Sequence, residues 1–423
     1  MKKFTVILLV LFLLSMSVIF AAGQQPASED KIIIDIFSDL WPEVMEKALV
    51  EAGLEGVVEF RLVPQNQYEP KLKMMIAGGT VGDILAIDAP NIAYYANIGA
   101  LEPLDSYWDK DDFEDLIPAS QGSMTWNDKI WASPLNESNC VLYYNKEMFK
   151  EAGITTPEKL EDAWDLGQLL EASRKLTKKD ANGNTVTYGI MPQMFSPDNT
   201  NEGMSYTQML WTWWFGADII SPDGTTVKGY FDSPENRQAL QYYSDLHNKY
   251  KVAPAEAMTS HFEAGKTAMW ITGPWMVSGV WPANFPDFMD KWGAMPLPHG
   301  VAAASNSGSW NLAITSQSEN KELAWKVIQV ITGKEGMAIY CNETGNLPAR
   351  KSVIDNFDMS SSPYNIISEQ LKETARNRPV TPVYPAVSMA LWECYNAIAF
   401  GEDVDTAMAE AVEKMERALQ SVK

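Results

Sequence analysis

The sequence predicts an α/β fold built on a mainly parallel sheet. Three observations carry this. First, short β-rich runs at 31–37 (KIIIDIF), 57–62 (VVEFRL) and 83–87 (DILAI) alternate with helical stretches at 42–51 and 68–76. Strands joined through helices pair in parallel. Second, the chain is 423 residues long, enough for more than one domain, yet it holds no internal repeat, low-complexity tract or long linker. Third, 46% of residues are hydrophobic and 21% charged, the composition of a globular chain.

The elements follow in order. Pro42 stands at the first position of the first helix, where its missing N–H is not needed. Gly78 and Gly79 close the second helix. A helix at 92–98 ends at Gly99, and extended segments follow at 130–134 and 140–144. The spacing predicts helices at 146–152 and 160–176, punctuated by Thr156 and Pro157. A turn at 180–183 (DANG) leads into a strand at 186–190, and an aromatic helix covers 206–215. Beyond it come a helix at 233–250, a strand at 268–271 ending in Gly273-Pro274-Trp275, and a strand at 312–314. A helix at 320–332 is expected to be capped by Asn320, and 386–422 reads as helical with few breaks. The elements do not split into sequential halves. The polar loops at 135–138 (LNES) and 276–280 read as crossovers between lobes.

Composition excludes some functions. A formal net charge of −22 leaves no basic stripe for nucleic acid and disfavours anionic membrane surfaces. Cys140, Cys341 and Cys394 form no CxxC pair, and one bridge between two of them stays open. His247, His261 and His299 are too scattered for a metal cluster, so neither metal nor cofactor is expected. The chain has 15 Trp, 16 Tyr and 15 Phe, most for the core and some for stacking on a ligand.

At the N-terminus, Lys2 and Lys3 precede an uncharged run from 4 to 22 that ends in Ala21 and Ala22, with Gly23 next. Residues 1–23 read as a secretory signal peptide, with a membrane anchor as the competing reading. No cysteine follows the run, so no lipid anchor is expected.

Several motif fragments fail. Ala264-Gly265-Lys266-Thr267 resembles the end of a P-loop, but Ser260 stands where its first glycine is required. The 180–184 turn begins like a calcium loop, but Thr185 and Met191 occupy the positions that need Gly and Glu. No G-x-S-x-G, HExxH or G-x-G-x-x-G occurs. A glycosidase needs only two suitably spaced carboxylates, which 55 acidic residues leave open.

Four segments occur in a suggestive order: LYYNKEMFKEAGI from 142, TTPEKLEDAWDLGQLLEASRKLT from 155, FEAGKTAMWITGPW from 262 and NLPARKSV from 346. Together they resemble the extracellular solute-binding proteins of ABC importers, in the carbohydrate-binding family that includes maltose-binding protein. The resemblance implies two discontinuous α/β lobes and a hinged cleft, and a protein that is not an enzyme. The implied ligand is a mono- or oligosaccharide passed to ABC permease subunits outside the cytoplasm, and the chain is expected to be monomeric. The expected first lobe is 24–134 with 281–340, and the second is 139–275 with 345–423. Crossovers are expected at 135–138, 276–280 and 341–344. A non-sugar solute, such as a polyol phosphate or a peptide, and a secreted carbohydrate-active enzyme are the alternatives.

Ligands of α/β sheets lie beyond the carboxyl ends of strands. Sugars ask for aromatic faces and convergent polar groups, since an unpaired buried hydroxyl costs ~1–3 kcal/mol. By that rule Asp39 and Trp41 follow the first strand, and Asp88 and Asn91 the third. Asn136, Glu137 and Asn139 sit in the first crossover, and Trp310 and Asn311 in the small-residue stretch SNSGSWN. By resemblance, Trp275 matches a sugar-stacking tryptophan of maltose-binding protein, Tyr206 falls near another aromatic contact, and Arg350 lies in a segment that reaches the cleft. Structural roles stay open beside these: packing for Trp41, Trp275 and Trp310, a solvated loop charge for Glu137, and an ion pair or cap for Asp39 and Arg350. Ile87 and Pro90 replace a cleft tryptophan and aspartate of maltose-binding protein, so maltodextrin is not implied.

Overall fold

A computed structural model describes residues 31–194, 201–256, 258–308 and 310–422. The expected signal peptide, 1–23, lies outside the described residues. The strands that build the architecture are β1 (Ile32–Ile36), β2 (Val58–Leu62), β3 (Ile84–Asp88), β4 (Ser133–Pro134), β5 (Val141–Asn145), β6 (Met269–Thr272), β7 (Trp292–Met295), β8 (Ser305–Ser307), β9 (Trp310–Ile314) and β10 (Ala375–Asn377).

The first lobe holds a five-stranded sheet ordered β2-β1-β3-β9-β4. β1 is parallel to β2 and β3, as alternating strands and helices require. β9 runs antiparallel to β3 and β4, so the sheet is mixed rather than mainly parallel. Its central strands are buried on both sides, which is why they read as unbroken apolar runs. One exception is Asp35 in β1, which accepts from Arg61 at 2.5 and 2.7 Å and from the Gly82 amide at 2.7 Å.

The second lobe carries the antiparallel sheet β6-β5-β7. Helices Asn201–Trp214, Pro234–Asn248, Tyr384–Ala399 and Val404–Gln420 enclose its largest core. Trp211, Trp213 and Trp214 are buried there with Tyr243 and Tyr395. Each such aromatic removes roughly 150–250 Å² from water. That is worth about 4–6 kcal/mol before conformational entropy is subtracted.

Several expectations are corrected. The 276–280 loop does not cross between lobes. β7 pairs with β5, which keeps the chain in the second lobe until β8, and it crosses between Ser305 and Trp310. Nor does it leave the first lobe at 341–344. Helix Lys334–Thr344 ends at the left-handed Gly345, yet Ala349 and Val353 still pack in the first-lobe core, and the second-lobe helix Tyr364–Glu373 begins only later. The first crossing is close to the expected place, between β4 and β5. Asn320 precedes its helix without a side-chain cap bond. The helix expected from 160 starts at Leu166, where Asp165 and Gln168 form a capping box. The C-terminal helix is broken at Gly401, whose φ of +97° suits glycine. Cys140, Cys341 and Cys394 are all free and buried.

Candidate functional site

The site is built where the end of β3 faces the second lobe. β3 delivers Asp88 at its carboxyl end, opposite Trp310 on β9. From the second-lobe side, Arg378 follows β10 and reaches across. Its Nη1 donates to Asp88 Oδ2 at 2.7 Å and its Nη2 to Asp88 Oδ1 at 2.5 Å, a bidentate fork. Nη1 also donates to Glu202 Oε1 at 2.7 Å, on helix Asn201–Trp214. One guanidinium therefore ties a first-lobe carboxylate to a second-lobe one. Its side chain is only 5% exposed, and its Nε is buried without a hydrogen-bond partner among the described residues.

Glu202 is fixed by further donors, Tyr384 Oη at 2.6 Å and Ser388 Oγ at 2.5 Å. Burial raises its carboxyl above the usual range, against the Arg378 charge that lowers it. The Tyr206 ring lies beneath the guanidinium, 4.8 Å from its carbon, a cation–π geometry. Trp275 continues the aromatic surface, 6.5 Å from Tyr206 between ring centroids. A Cβ at Gly308 would lie 2.9 Å from Arg378 Nη2 and 3.0 Å from Tyr206, so a larger residue there would press on both.

Behind Asp88, Asn91 Nδ2 donates to Glu69 Oε1 at 3.1 Å and Tyr95 Oη to Glu69 Oε2 at 2.7 Å. Burial pushes Glu69 up to about 7, the Tyr95 and Lys73 contributions notwithstanding.

Below lies the joint between lobes. Glu137 is 1% exposed, and its amide donates to the Leu347 carbonyl at 2.7 Å. Its carboxylate accepts from Ser120 Oγ (2.8 Å), the Ser138 amide (3.0 Å), Ser307 Oγ (3.1 Å) and the Gly308 amide (2.9 Å). Burial raises it to about 7 despite these donors. Ser138 Oγ donates to the Gly308 carbonyl at 2.6 Å and lies 3.1 Å from Tyr206 Oη. The first two crossings thus run side by side.

The structure brings Asp88, Tyr206, Trp275 and Trp310 to the region where the lobes meet, with Asn91 one layer behind Asp88. Glu137 is not a solvated loop charge, since all its donors are internal. Asn139 is fully engaged, with Nδ2 donating to Ser305 Oγ and the Asn306 carbonyl and Oδ1 accepting from Gln370. Asn136 keeps a buried Oδ1 without a partner. Asn311 is fully buried and lies in register with Ile87 and Pro134. Trp310 and Trp41 belong to a first-lobe aromatic cluster with Phe37 and Tyr340. Asp39 is exposed in the turn before the first helix. Arg350 does not join the group. It is 2% exposed in its side chain and donates to Asp112 at 2.6 and 3.2 Å and to the Thr332 carbonyl at 2.8 Å, an ion pair internal to the first lobe.

Sequence reasoning missed Arg378, Glu202 and Glu69. Arg378 lies in a loop that no strand-end rule marks, and its partners are 290 and 176 residues away. A faint signal was available. Two arginines flank Asn377 just before Pro379.

A model of the bacterial extracellular solute-binding proteins matches residues 40–338. The chain is 28% identical over 335 residues to an erythritol/L-threitol-binding protein of Mycolicibacterium smegmatis, covering 71% of this chain and 66% of that one. It is 24% identical to a mannitol-binding protein of Pseudomonas aeruginosa, covering 87% and 84%. Among solved structures, a solute-binding protein of an ABC transporter from Thermotoga lettingae, bound with α-D-tagatose, superposes with a TM-score of 0.78 at 26% identity, covering 92% of this chain and 99% of that one. A maltose-bound protein of T. maritima gives 0.73 at 26%, covering 92% and 99%.

Proposed function

The chain belongs to the bacterial extracellular solute-binding protein family, and from that premise we propose that it is the binding component of an ABC importer, capturing a mono- or oligosaccharide or a related polyol between its lobes. One observation carries the reading. Asp88 from one lobe meets Glu202 and Arg378 from the other beside the aromatic faces of Tyr206 and Trp275. Carboxylate and guanidinium groups pair with vicinal hydroxyls, and aromatic faces cover the C–H patches of a sugar or alditol. Relatives named for erythritol/L-threitol and mannitol, and a similar structure bound with α-D-tagatose, support the same ligand chemistry.

Capture works as a population shift. Contacts between Asp88 and the second lobe exist only when the lobes are together, so a ligand that adds to them favours the closed form. Delivery to membrane permease subunits, cleavage of a signal peptide near residues 21–23 and a monomeric state complete the proposal.

The family is one of solute binding rather than catalysis. The expected result is saturable binding of a sugar or alditol with no turnover. Calorimetry across a panel of tetritols, hexitols, hexoses and short oligosaccharides, with analysis of the recovered ligand, checks both halves. Steady release of shorter sugars would establish an enzyme instead.

A further inference from the structure

We infer that the cleft selects uncharged ligands and rejects sugars that carry a carboxylate or a phosphate. This rests on the carbohydrate reading above and narrows it.

A buried arginine in a binding cleft would ordinarily invite an anion. Here that invitation is cancelled twice. Asp88 takes the fork of Arg378 from the first lobe, and Glu202 takes Nη1 from the second. Two carboxyl groups on one guanidinium leave no unpaired positive charge at the centre to receive an anion. Two further buried acids, Glu69 beside Asn91 and Glu137 beside Ser138, add acceptors rather than cations to the surroundings. Lys73 sits over the Tyr94 ring at 5.2 Å and its charge acts on Glu69.

The Nε of Arg378 is buried with no hydrogen-bond partner among the described residues, and a buried donor left unmet is costly. A hydroxyl oxygen satisfies it without adding charge. A carboxylate or phosphate would satisfy it too, but only while held against Asp88 and Glu202, and juxtaposed like charges are strongly unfavourable. Repulsion is thereby built in beside attraction, which is how binding sites reject near-isosteres. The arrangement disfavours a polyol phosphate, the alternative left open by the sequence.

The test compares neutral and anionic members of one series by calorimetry at neutral pH: a hexose, a hexitol, a disaccharide, a hexuronate and a hexose 6-phosphate. The wild-type protein is expected to bind its best neutral member at least roughly a hundredfold more tightly than either anion. Glu202→Gln removes one of the two charges while keeping a hydrogen-bonding group, and should narrow that ratio by about tenfold or more. Asp88→Asn is the parallel variant from the other lobe and should narrow it likewise, so that a folding defect in one leaves the other decisive. Wild-type binding of the uronate or the phosphate as tightly as any neutral member would overturn the selectivity while leaving the carbohydrate reading intact. So would an unchanged ratio in the folded variants. Absence of binding by every member would instead remove the carbohydrate reading and the selectivity with it.

Discussion

Glu137 and Asp88 are both carboxylates withdrawn from water, and they are held there by opposite means. Glu137, at the joint, has four neutral donors and no cation. Those donors come from the two crossing segments and from helix Pro118–Ser123 packed against them. Asp88, at the cleft, has a guanidinium reaching over from the other lobe. The joint is therefore self-contained, and lobe motion need not break it. The pairing at the cleft has partners on two bodies, so opening must separate charges. At Glu137 burial opposes ionisation and the neutral donors only partly offset it, whereas the Asp88 pairing draws on a cation from the far lobe.

The largest break in this contrast should come from Arg378→Ala. It leaves Asp88 and Glu202 enclosed together without a countercharge, and removing one partner of a buried pair costs about 3–5 kcal/mol. The closed form should lose most of its population, and ligand affinity should fall by roughly a hundredfold or more. Small-angle scattering and calorimetry read the two effects. A variant that closes and binds as the wild type does would mean that the two carboxylates are not coupled through Arg378.

Next in size is Glu137→Gln. The wild-type carboxyl sits at about 7 against an ordinary 4.5, so its folded form resists ionisation. Its stabilising contribution is full below the ordinary value and is lost as pH rises through about 7. The amide matches its shape and does not ionise. The variant should therefore gain stability relative to wild type at pH above 7, up to about 3 kcal/mol, and the gain should vanish toward acid. Melting temperatures across that range decide it, and a difference independent of pH would show that ionisation of Glu137 is not the cause. Buried His247 and His261, lowered to about 4 and about 3 by burial, weaken the fold in acid but are common to both proteins.

The smallest effect sharpens the contrast rather than breaking it. Ser120→Ala deletes the donor to Glu137 Oε2 and should destabilise by about 1–3 kcal/mol at neutral pH. At pH above 7, where the wild-type carboxyl is ionised, the loss should be smaller in the Glu137→Gln background, because a hydrogen bond to a charged acceptor is the stronger one. A double-mutant cycle by chemical denaturation measures the difference, and strict additivity would deny the contact its role.

Much of the fold was legible for a plain reason. β1, β2, β3, β5, β6 and β9 are β-rich and bounded by turns, and their periodicity survives without context. β7 (WGAM), β8 (SNS) and β10 (ARN) were missed because small and polar residues carry no strand pattern. Missing β7 misplaced the second crossing by some thirty residues, since only its pairing with β5 keeps that stretch in the second lobe. At the site, the strand-end rule led to Asp88 but not to the residues that answer it. Which cation meets Asp88 is decided by how the two lobes dock, and no local spacing records that. Arg350 shows the converse. Its segment suggested the cleft, but Asp112 and the Thr332 carbonyl hold it inside the first lobe.

The three free cysteines give the molecule its own stopwatch. Cys140 lies at the first crossing, Cys341 in a first-lobe helix and Cys394 in a second-lobe helix, each buried and each with its thiol pushed up by burial. A thiol of this kind reacts only when its surroundings come apart. Alkylation followed site by site in a mass spectrometer would thus time the loosening of the joint, the first lobe and the second lobe separately, in an unmodified chain and with no label installed beforehand.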